Sequence, residues 1–243
     1  MRIHEMFESI QGEGPYSGLP TYFIRTAGCS IGCVWCDTKQ AWSKDSGKSM
    51  KVKEIVEKVK TEYNNKWVSI TGGNPFEQDL NELQDLILKL KRLEYSILIE
   101  HPGIFLDKIE EVILLMCTAI SIDQKPPSAC VKQSNSYNIE NHLLDILGAC
   151  SNMHHISYVK GVYNSIEDIN YYLKECTVYK NTYKDSVFYH NEPFQFYLQP
   201  CIETVITEKV IELNKYIIKC FKENRFPSYV RLSTQLHKVL NFR

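Results

Sequence analysis

Two textures take turns along this chain: short runs dense in β-branched and aromatic residues, and longer stretches whose apolar residues recur every three or four positions. The short runs read as strands. They are Thr21-Tyr-Phe-Ile-Arg-Thr, Trp67-Val-Ser-Ile-Thr, Tyr95-Ser-Ile-Leu-Ile-Glu, Thr118-Ala-Ile-Ser-Ile-Asp, His154-His-Ile-Ser-Tyr-Val and Phe194-Gln-Phe-Tyr-Leu. The longer stretches read as helices. Residues 52–63 put Val52, Ile55, Val56 and Val59 on one face. The same period runs through 80–93, 106–116, 139–150, 165–175 (behind a Ser165 cap) and 203–223, with a short terminal helix over 232–240.

Strand then helix, about six times over, predicts an α/β fold with a mostly parallel sheet and right-handed crossovers. Six repeats rather than eight predict an open or partial barrel, in one domain over residues 1–243. Such sheets hold ligands at the carboxyl ends of their strands. The chemically unusual residues fall there. Three cysteines follow the first strand and Gly72-Gly-Asn-Pro the second; Glu100 ends the third, Asp123 and Lys125 come after the fourth, and Gln199 after the last. Residues 124–136 and 178–195 read as loops, the second as a Tyr- and Lys-rich insertion.

Composition narrows the classes. The 243 residues are 44% hydrophobic and 23% charged with a net charge of -1, which allows a real core and gives no basic surplus for nucleic acid. No run reaches the roughly 20 apolar residues of a membrane span. Met1-Arg-Ile-His-Glu-Met-Phe is no signal peptide. A cytoplasmic, reducing location is expected. Of nine cysteines, the six beyond residue 36 read as small buried hydrophobes, though one of them could serve as a distant metal ligand. The adjacent His154 and His155 point to opposite faces of their strand, so they cannot easily share a metal.

Cys29, Cys33 and Cys36 place three thiolates within eight residues. A four-iron cluster wants a ligand on every iron, so three local cysteines leave one iron open. Open coordination positions do chemistry; closed sites are usually structural. The alternatives are a zinc site short of a ligand or a chance cluster. Zinc motifs generally come as two Cys/His pairs, and here His142 or His154 would have to be recruited from afar. Trp35, before the last cysteine, is placed to stack on or wall in a purine.

Cys-x3-Cys-x2-Cys after a first strand, with that aromatic residue, resembles the radical S-adenosylmethionine superfamily. Gly72-Gly-Asn-Pro resembles its Gly-Gly-Glu-Pro, with Asn in place of Glu. Further likeness lies in Phe7-Glu-Ser-Ile-Gln-Gly-Glu-Gly-Pro-Tyr-Ser-Gly, Phe23-Ile-Arg, Asp37-Thr, Lys125-Pro-Pro-Ser and Arg231-Leu-Ser-Thr-Gln-Leu-His. These series resemble the 7-carboxy-7-deazaguanine synthase family. The resemblance implies an incomplete (β/α)6 barrel and a 4Fe-4S cluster on Cys29, Cys33 and Cys36. It implies S-adenosyl-L-methionine along Trp35, Gly73, Asn74, Glu100, Asp123, Lys125 and Gln199, and Mg2+ on the Thr38 hydroxyl. It implies that Gln11, Glu13, Arg25 and His237 hold 6-carboxy-5,6,7,8-tetrahydropterin, with no side chain as the catalytic group. Glu13 suits the pterin's amidine-like edge, and the Arg25 fork suits its carboxylate. The implied reaction is a carbon–nitrogen lyase step of queuosine-type 7-deazapurine biosynthesis. A 5'-deoxyadenosyl radical takes hydrogen from C6, the ring contracts, ammonia leaves and 7-carboxy-7-deazaguanine forms. A homodimer and an electron donor such as flavodoxin are implied as well.

The chain departs from the family at Glu100-His-Pro-Gly-Ile, where Glu-Thr-x-Gly-Thr is usual, and at Asp123-Gln-Lys, where Ser-Pro-Lys is common. Two hydroxyls are lost in the first. In the second, Asp123 is free to pair with Lys125 or to meet the cofactor's ribose. Two rival readings stand beside this one. A glycyl-radical activase would act on a protein partner and have no use for a pocket of Gln11, Glu13 and Arg25. A non-enzymatic iron–sulfur or zinc module would carry electrons or structure alone.

Overall fold

The computed structural model describes residues 1–103, 108–129, 156–183, 195–201 and 207–240. The helix predicted over 139–150, His154 and His155 lie outside them.

Nine strands make one sheet in the order β3-β1-β2-β4-β5-β6-β7-β8-β9. They are β1 Arg2–Ile10, β2 Pro20–Thr26, β3 Lys48–Ser49, β4 Trp67–Gly72, β5 Ser96–His101, β6 Ala119–Gln124, β7 Ile156–Tyr163, β8 Gln195–Pro200 and β9 Val230–Leu232. From β2 through β9 every neighbouring pair is parallel; β1 runs antiparallel to β2 and to β3. The sheet ends at β3 and β9 without closing, so the barrel is incomplete, as six repeats predict.

Helices α1 Val52–Glu62, α2 Leu80–Arg92, α3 Lys108–Met116, α4 Ile166–Tyr183, α5 Glu208–Lys222 and α6 Leu236–Val239 complete the fold. Asp79 accepts from Glu82 N at the start of α2, and Thr207 accepts from Val210 N at the start of α5, each satisfying an orphan donor of the first turn. Helices α1 to α5 each bury a stripe against one face of the sheet, while α6 has no buried residue and borders the cavity. Ile55, Leu86, Ile113, Ile169 and Ile217 meet Ile24, Ile70, Ile97, Ile99, Ile120, Ile122, Val159 and Phe196.

Three boundaries differ from the sequence reading. The N-terminal segment is itself a strand, β1, rather than a lead-in to the first one; only Ile3 of it is buried, so it carries little apolar signal. The terminal helix predicted over 232–240 is split. Val230–Leu232 extends the sheet edge, and Ser233 N donates to Leu198 O at 2.8 Å before α6 begins. The insertion predicted from 178 starts later, because α4 runs on through Tyr183; residues 184–194 lie outside the described ones.

The other face of the sheet makes the site. Side chains alternate along a strand, so every second residue turns inward. Low in the barrel these are Leu98, Ala119 and Tyr158, plugged by Tyr16, Trp67 and Tyr197. At the carboxyl ends the same inward rows change to Arg25, Thr71, Glu100, Asp123, Lys160 and Gln199, all lining one cavity. Among the described residues no helix is long and apolar enough to cross a membrane.

Candidate active site

The cysteine loop leaves β2 and is stitched to the turn after β4. Gly73 N donates to Thr26 O at 2.9 Å, Asn74 N to Gly28 O at 2.8 Å, and Cys29 N to Trp42 O at 2.9 Å. The approach is so close that a Cβ on Gly73 would stand 2.3 Å from the Gly28 carbonyl oxygen. Cys29, Cys33 and Cys36 are free thiols on the cavity wall, and Thr38 N donates to Cys36 Sγ at 3.4 Å. Burial pushes the Cys29 and Cys33 thiols up, with Lys125 pulling Cys33 the other way. Among the described residues no three His, Cys, Asp or Glu gather as a single ion would need. Three thiols on one cavity wall fit three corners of a four-iron cube.

Around the cysteines stands a wall of charge, with Lys125 and Asp123 close enough to act on Cys33. Glu13, 9% exposed, is ringed by donors: Lys160 Nζ at 2.5 Å on Oε2, and Gln199 Nε2 at 2.8 Å and Gln235 Nε2 at 3.1 Å on Oε1. Burial alone would raise its carboxyl, but Lys160 outweighs burial and holds it below the usual range. Lys160 reaches on to Asp123 Oδ1 at 3.1 Å, and Asp123 Oδ2 pairs with Lys125 at 2.5 Å. Burial works against the Asp123 charge, yet these two cations bring it down to about 2. Glu100, accepting from Thr71 Oγ1 at 2.7 Å, goes the other way: burial raises it and its acidic neighbours add to that, against Lys160.

The third side is built by β1, β2 and the C-terminal segment. Arg25 Nε pairs with Glu5 Oε1 at 2.9 Å, its Nη1 donates to Thr38 Oγ1 at 3.2 Å, and its guanidinium lies 5.7 Å over the Phe7 ring. Thr38 Oγ1 donates to Asp37 Oδ1 at 2.8 Å, setting a hydroxyl beside a carboxylate. Lys238 Nζ lies 3.5 Å from Asp37 Oδ2. Leu236 N donates to Gly12 O at 2.9 Å, which lays His237 against Gly12. Burial lowers the His237 imidazole below its ordinary value, more than Glu13 raises it, so the ring is neutral at pH 7.

Every site residue named from the sequence lines this cavity except Asn74. Asn74 Oδ1 accepts from Phe76 N at 3.0 Å and starts the 3-10 turn Pro75–Glu77, while Gly73 and Pro75 on either side of it reach the cavity. Of the two alternatives for Asp123, the ion pair with Lys125 is present. His101, one of the departures, also lines the cavity beside Glu100, with its ring 4.6 Å from Phe76. Sequence reasoning missed Lys160, Gln235, Asp37 and Thr71. For Lys160 the signal was there, a lone charge at an inward position of the apolar run Ser157-Tyr-Val-Lys-Gly-Val. Four buried polar atoms of cavity-lining residues, Gln11 Nε2, Trp42 Nε1, His101 Nε2 and Gln199 Oε1, have no hydrogen-bond partner among the described residues. Buried polar groups are almost always hydrogen-bonded, so a donor and an acceptor left over in one cavity fit a polar ligand.

An open parallel barrel whose first parallel strand feeds three cysteines, on a loop stitched to a Gly-Gly turn at the rim of a polar cavity, defines an iron–sulfur protein of the radical S-adenosylmethionine type. Residues 10–141 match the family described as "4Fe-4S single cluster domain". A 7-carboxy-7-deazaguanine synthase of Hyperthermus butylicus is 42% identical over 43% of this chain, a stretch that spans 43% of that relative's length. The synthase of Escherichia coli K12 is 30% identical over 98% of this chain and 97% of its own. The fold is shared with the crystal structure of QueE from Escherichia coli, at a TM-score of 0.61 and 24% identity over 97% of this chain and 94% of that one. The chain belongs to the 7-carboxy-7-deazaguanine synthase family.

Proposed function

We propose that this chain converts 6-carboxy-5,6,7,8-tetrahydropterin to 7-carboxy-7-deazaguanine with loss of ammonia. The observation that carries the reading is convergence. Gln11, Glu13, Arg25 and His237, from both ends of the chain, line the same cavity as the three cysteines. When bound, the four-iron cluster and S-adenosylmethionine supply the means to take one hydrogen atom from an unactivated carbon. Everything else falls to binding and aim, where orientation sets much of the rate.

Arg25 has five N–H donors and spends one on Glu5 and one on Thr38, leaving three for a substrate carboxylate. Glu13 offers about four lone-pair directions and three are taken, so one remains for the amidine-like edge. The stacked Phe7 and Phe23 rings, 5.2 Å apart, give a flat apolar wall for a planar bicycle. Neutral His237 supplies one donor and one acceptor. Thr38 and Asp37 set two oxygens side by side, the hard ligands that Mg2+ takes together with waters and a substrate carboxylate. Gly73, Glu100, Asp123, Lys125, Gln199 and Trp35 line the same cavity as the cysteines, and along them the cofactor would lie. Asn74 would then contribute backbone alone. A homodimer, a cytoplasmic location and an electron donor such as flavodoxin belong to the same reading.

The test is anaerobic. Cluster-loaded protein is given S-adenosylmethionine, a reductant, Mg2+ and the pterin. Equal amounts of 7-carboxy-7-deazaguanine and ammonia are expected. Cofactor cleavage without the deazapurine would reject the substrate and keep the class. An Arg25→Ala variant that stays as active as wild type would point to a protein-acting activase instead.

A further inference from the structure

On the reading just given, Glu13 meets the substrate and Asp123 lies on the cofactor side. One buried cation touches both. Lys160 is 6% exposed, turns inward from β7, and stands directly opposite Asp123 in the β6–β7 register. Its Nζ is 2.5 Å from Glu13 Oε2 and 3.1 Å from Asp123 Oδ1. A lysine ammonium has three donors and no acceptor, so two are committed to these carboxylates. The two acids differ in what else they have. Asp123 also holds Lys125. The other hydrogen bonds to Glu13 come from Gln199 and Gln235, which are neutral. A buried carboxylate that loses its counter-ion is costly and moves or protonates. Removing Lys160 therefore disturbs Glu13 more than Asp123.

We propose that Lys160 is a positioning residue: a shared counter-ion that fixes the Glu13 carboxylate for the substrate and ties its place to Asp123 on the cofactor side. The inference rests on the pterin reading. Its test uses anaerobic cluster-loaded protein and two binding measurements rather than turnover. The aromatic analogue 6-carboxypterin is followed by its fluorescence, and S-adenosylmethionine by calorimetry. In Lys160→Met the affinity for 6-carboxypterin should fall about tenfold or more, and that for S-adenosylmethionine less than about threefold. Glu13→Gln should show a similar pterin loss. The double variant should lie within about twofold of Glu13→Gln alone, because Lys160 acts through Glu13 and the two effects do not add. Unchanged pterin binding in folded Lys160→Met overturns the proposal. So do equal losses for both ligands, or additive losses in the double variant. If Lys160→Met does not fold, the double variant against Glu13→Gln decides, since the uncompensated acid is gone: a further tenfold loss there overturns the role. Wild-type protein that cleaves S-adenosylmethionine yet never binds 6-carboxypterin would sink the substrate reading itself.

Discussion

A single methyl group separates two kinds of glycine in this site. At Gly12 an added Cβ would fall 1.9 Å from His237 Nδ1 and 2.7 Å from its Cγ. At Gly73 it would fall 2.3 Å from the backbone oxygen of Gly28. A side chain can rotate away from such a clash; a hydrogen-bonded backbone cannot without moving its neighbours. Gly12→Ala should therefore fold and load its cluster, while the displaced His237 weakens 6-carboxypterin binding by about tenfold. Gly73→Ala should instead prise the turn after β4 from the cysteine loop and lower iron and sulfide content. Fluorescence titration and metal analysis of the two variants separate these outcomes. Equal pterin affinity in wild type and Gly12→Ala would mean that His237 does not touch the ligand.

Elements were legible where one periodicity dominated. The six inner strands and the described helices between them follow from β-branched and aromatic density and from the three-to-four spacing, and so does the end of the sheet at which chemistry gathers. β1 was hidden because Glu5, Glu8 and His4 break its pattern and only Ile3 is buried; its place depends on the free edge of β2, a tertiary fact. Lys160 was overlooked for a related reason: its lone charge in an apolar run was a signal, but a lysine in a strand ordinarily reads as solvated, and the register that sets it opposite Asp123 is a tertiary fact. Asn74 has a role that its motif does not announce. Its motif pointed to the cofactor, but its side chain caps the 3-10 turn Pro75–Glu77. That turn carries Glu77, whose Oε1 accepts from Ser30 N at 2.7 Å and Ser30 Oγ at 2.8 Å, so the cap braces the cysteine loop. Asn74→Ala should cost about 1 kcal/mol of stability, in line with other lost caps, and leave S-adenosylmethionine affinity of loaded protein within about twofold. Asn74→Asp keeps the acceptor but replaces the amide that donates to Glu77 Oε1 at 3.4 Å with a second carboxylate, so it should recover only part of the loss in thermal unfolding. A large affinity loss in stable Asn74→Ala would return the side chain to the cofactor.

Across the whole molecule the inward rows concentrate acids and cations whose side chains are mostly buried, so acidity and stability are linked there. In the unfolded chain the Asp123 carboxyl has its ordinary value of 3.8; in the fold, burial opposes its charge but Lys125 and Lys160 prevail and bring it to about 2. Between those values the unfolded chain takes up a proton that the folded chain refuses, so acid favours unfolding. The contribution is fully present above the unfolded value, amounts to about 2 kcal/mol at neutral pH, and is lost as pH falls through the folded one. Glu13 and Asp37, both lowered despite burial, by Lys160 and by Lys238 respectively, act in the same direction. Glu100, raised chiefly by burial, opposes them: its contribution is present in acid and fades as pH rises through its folded value. Urea unfolding of wild type and Asp123→Asn, measured side by side from pH 7 to pH 3, should show a gap of about 2 kcal/mol at the neutral end. The gap should shrink to roughly half by pH 3 as wild type loses what the amide never had. A gap that stays constant across that range would mean the Asp123 charge is not held by its two lysines, and that the inward charges do not act as one network.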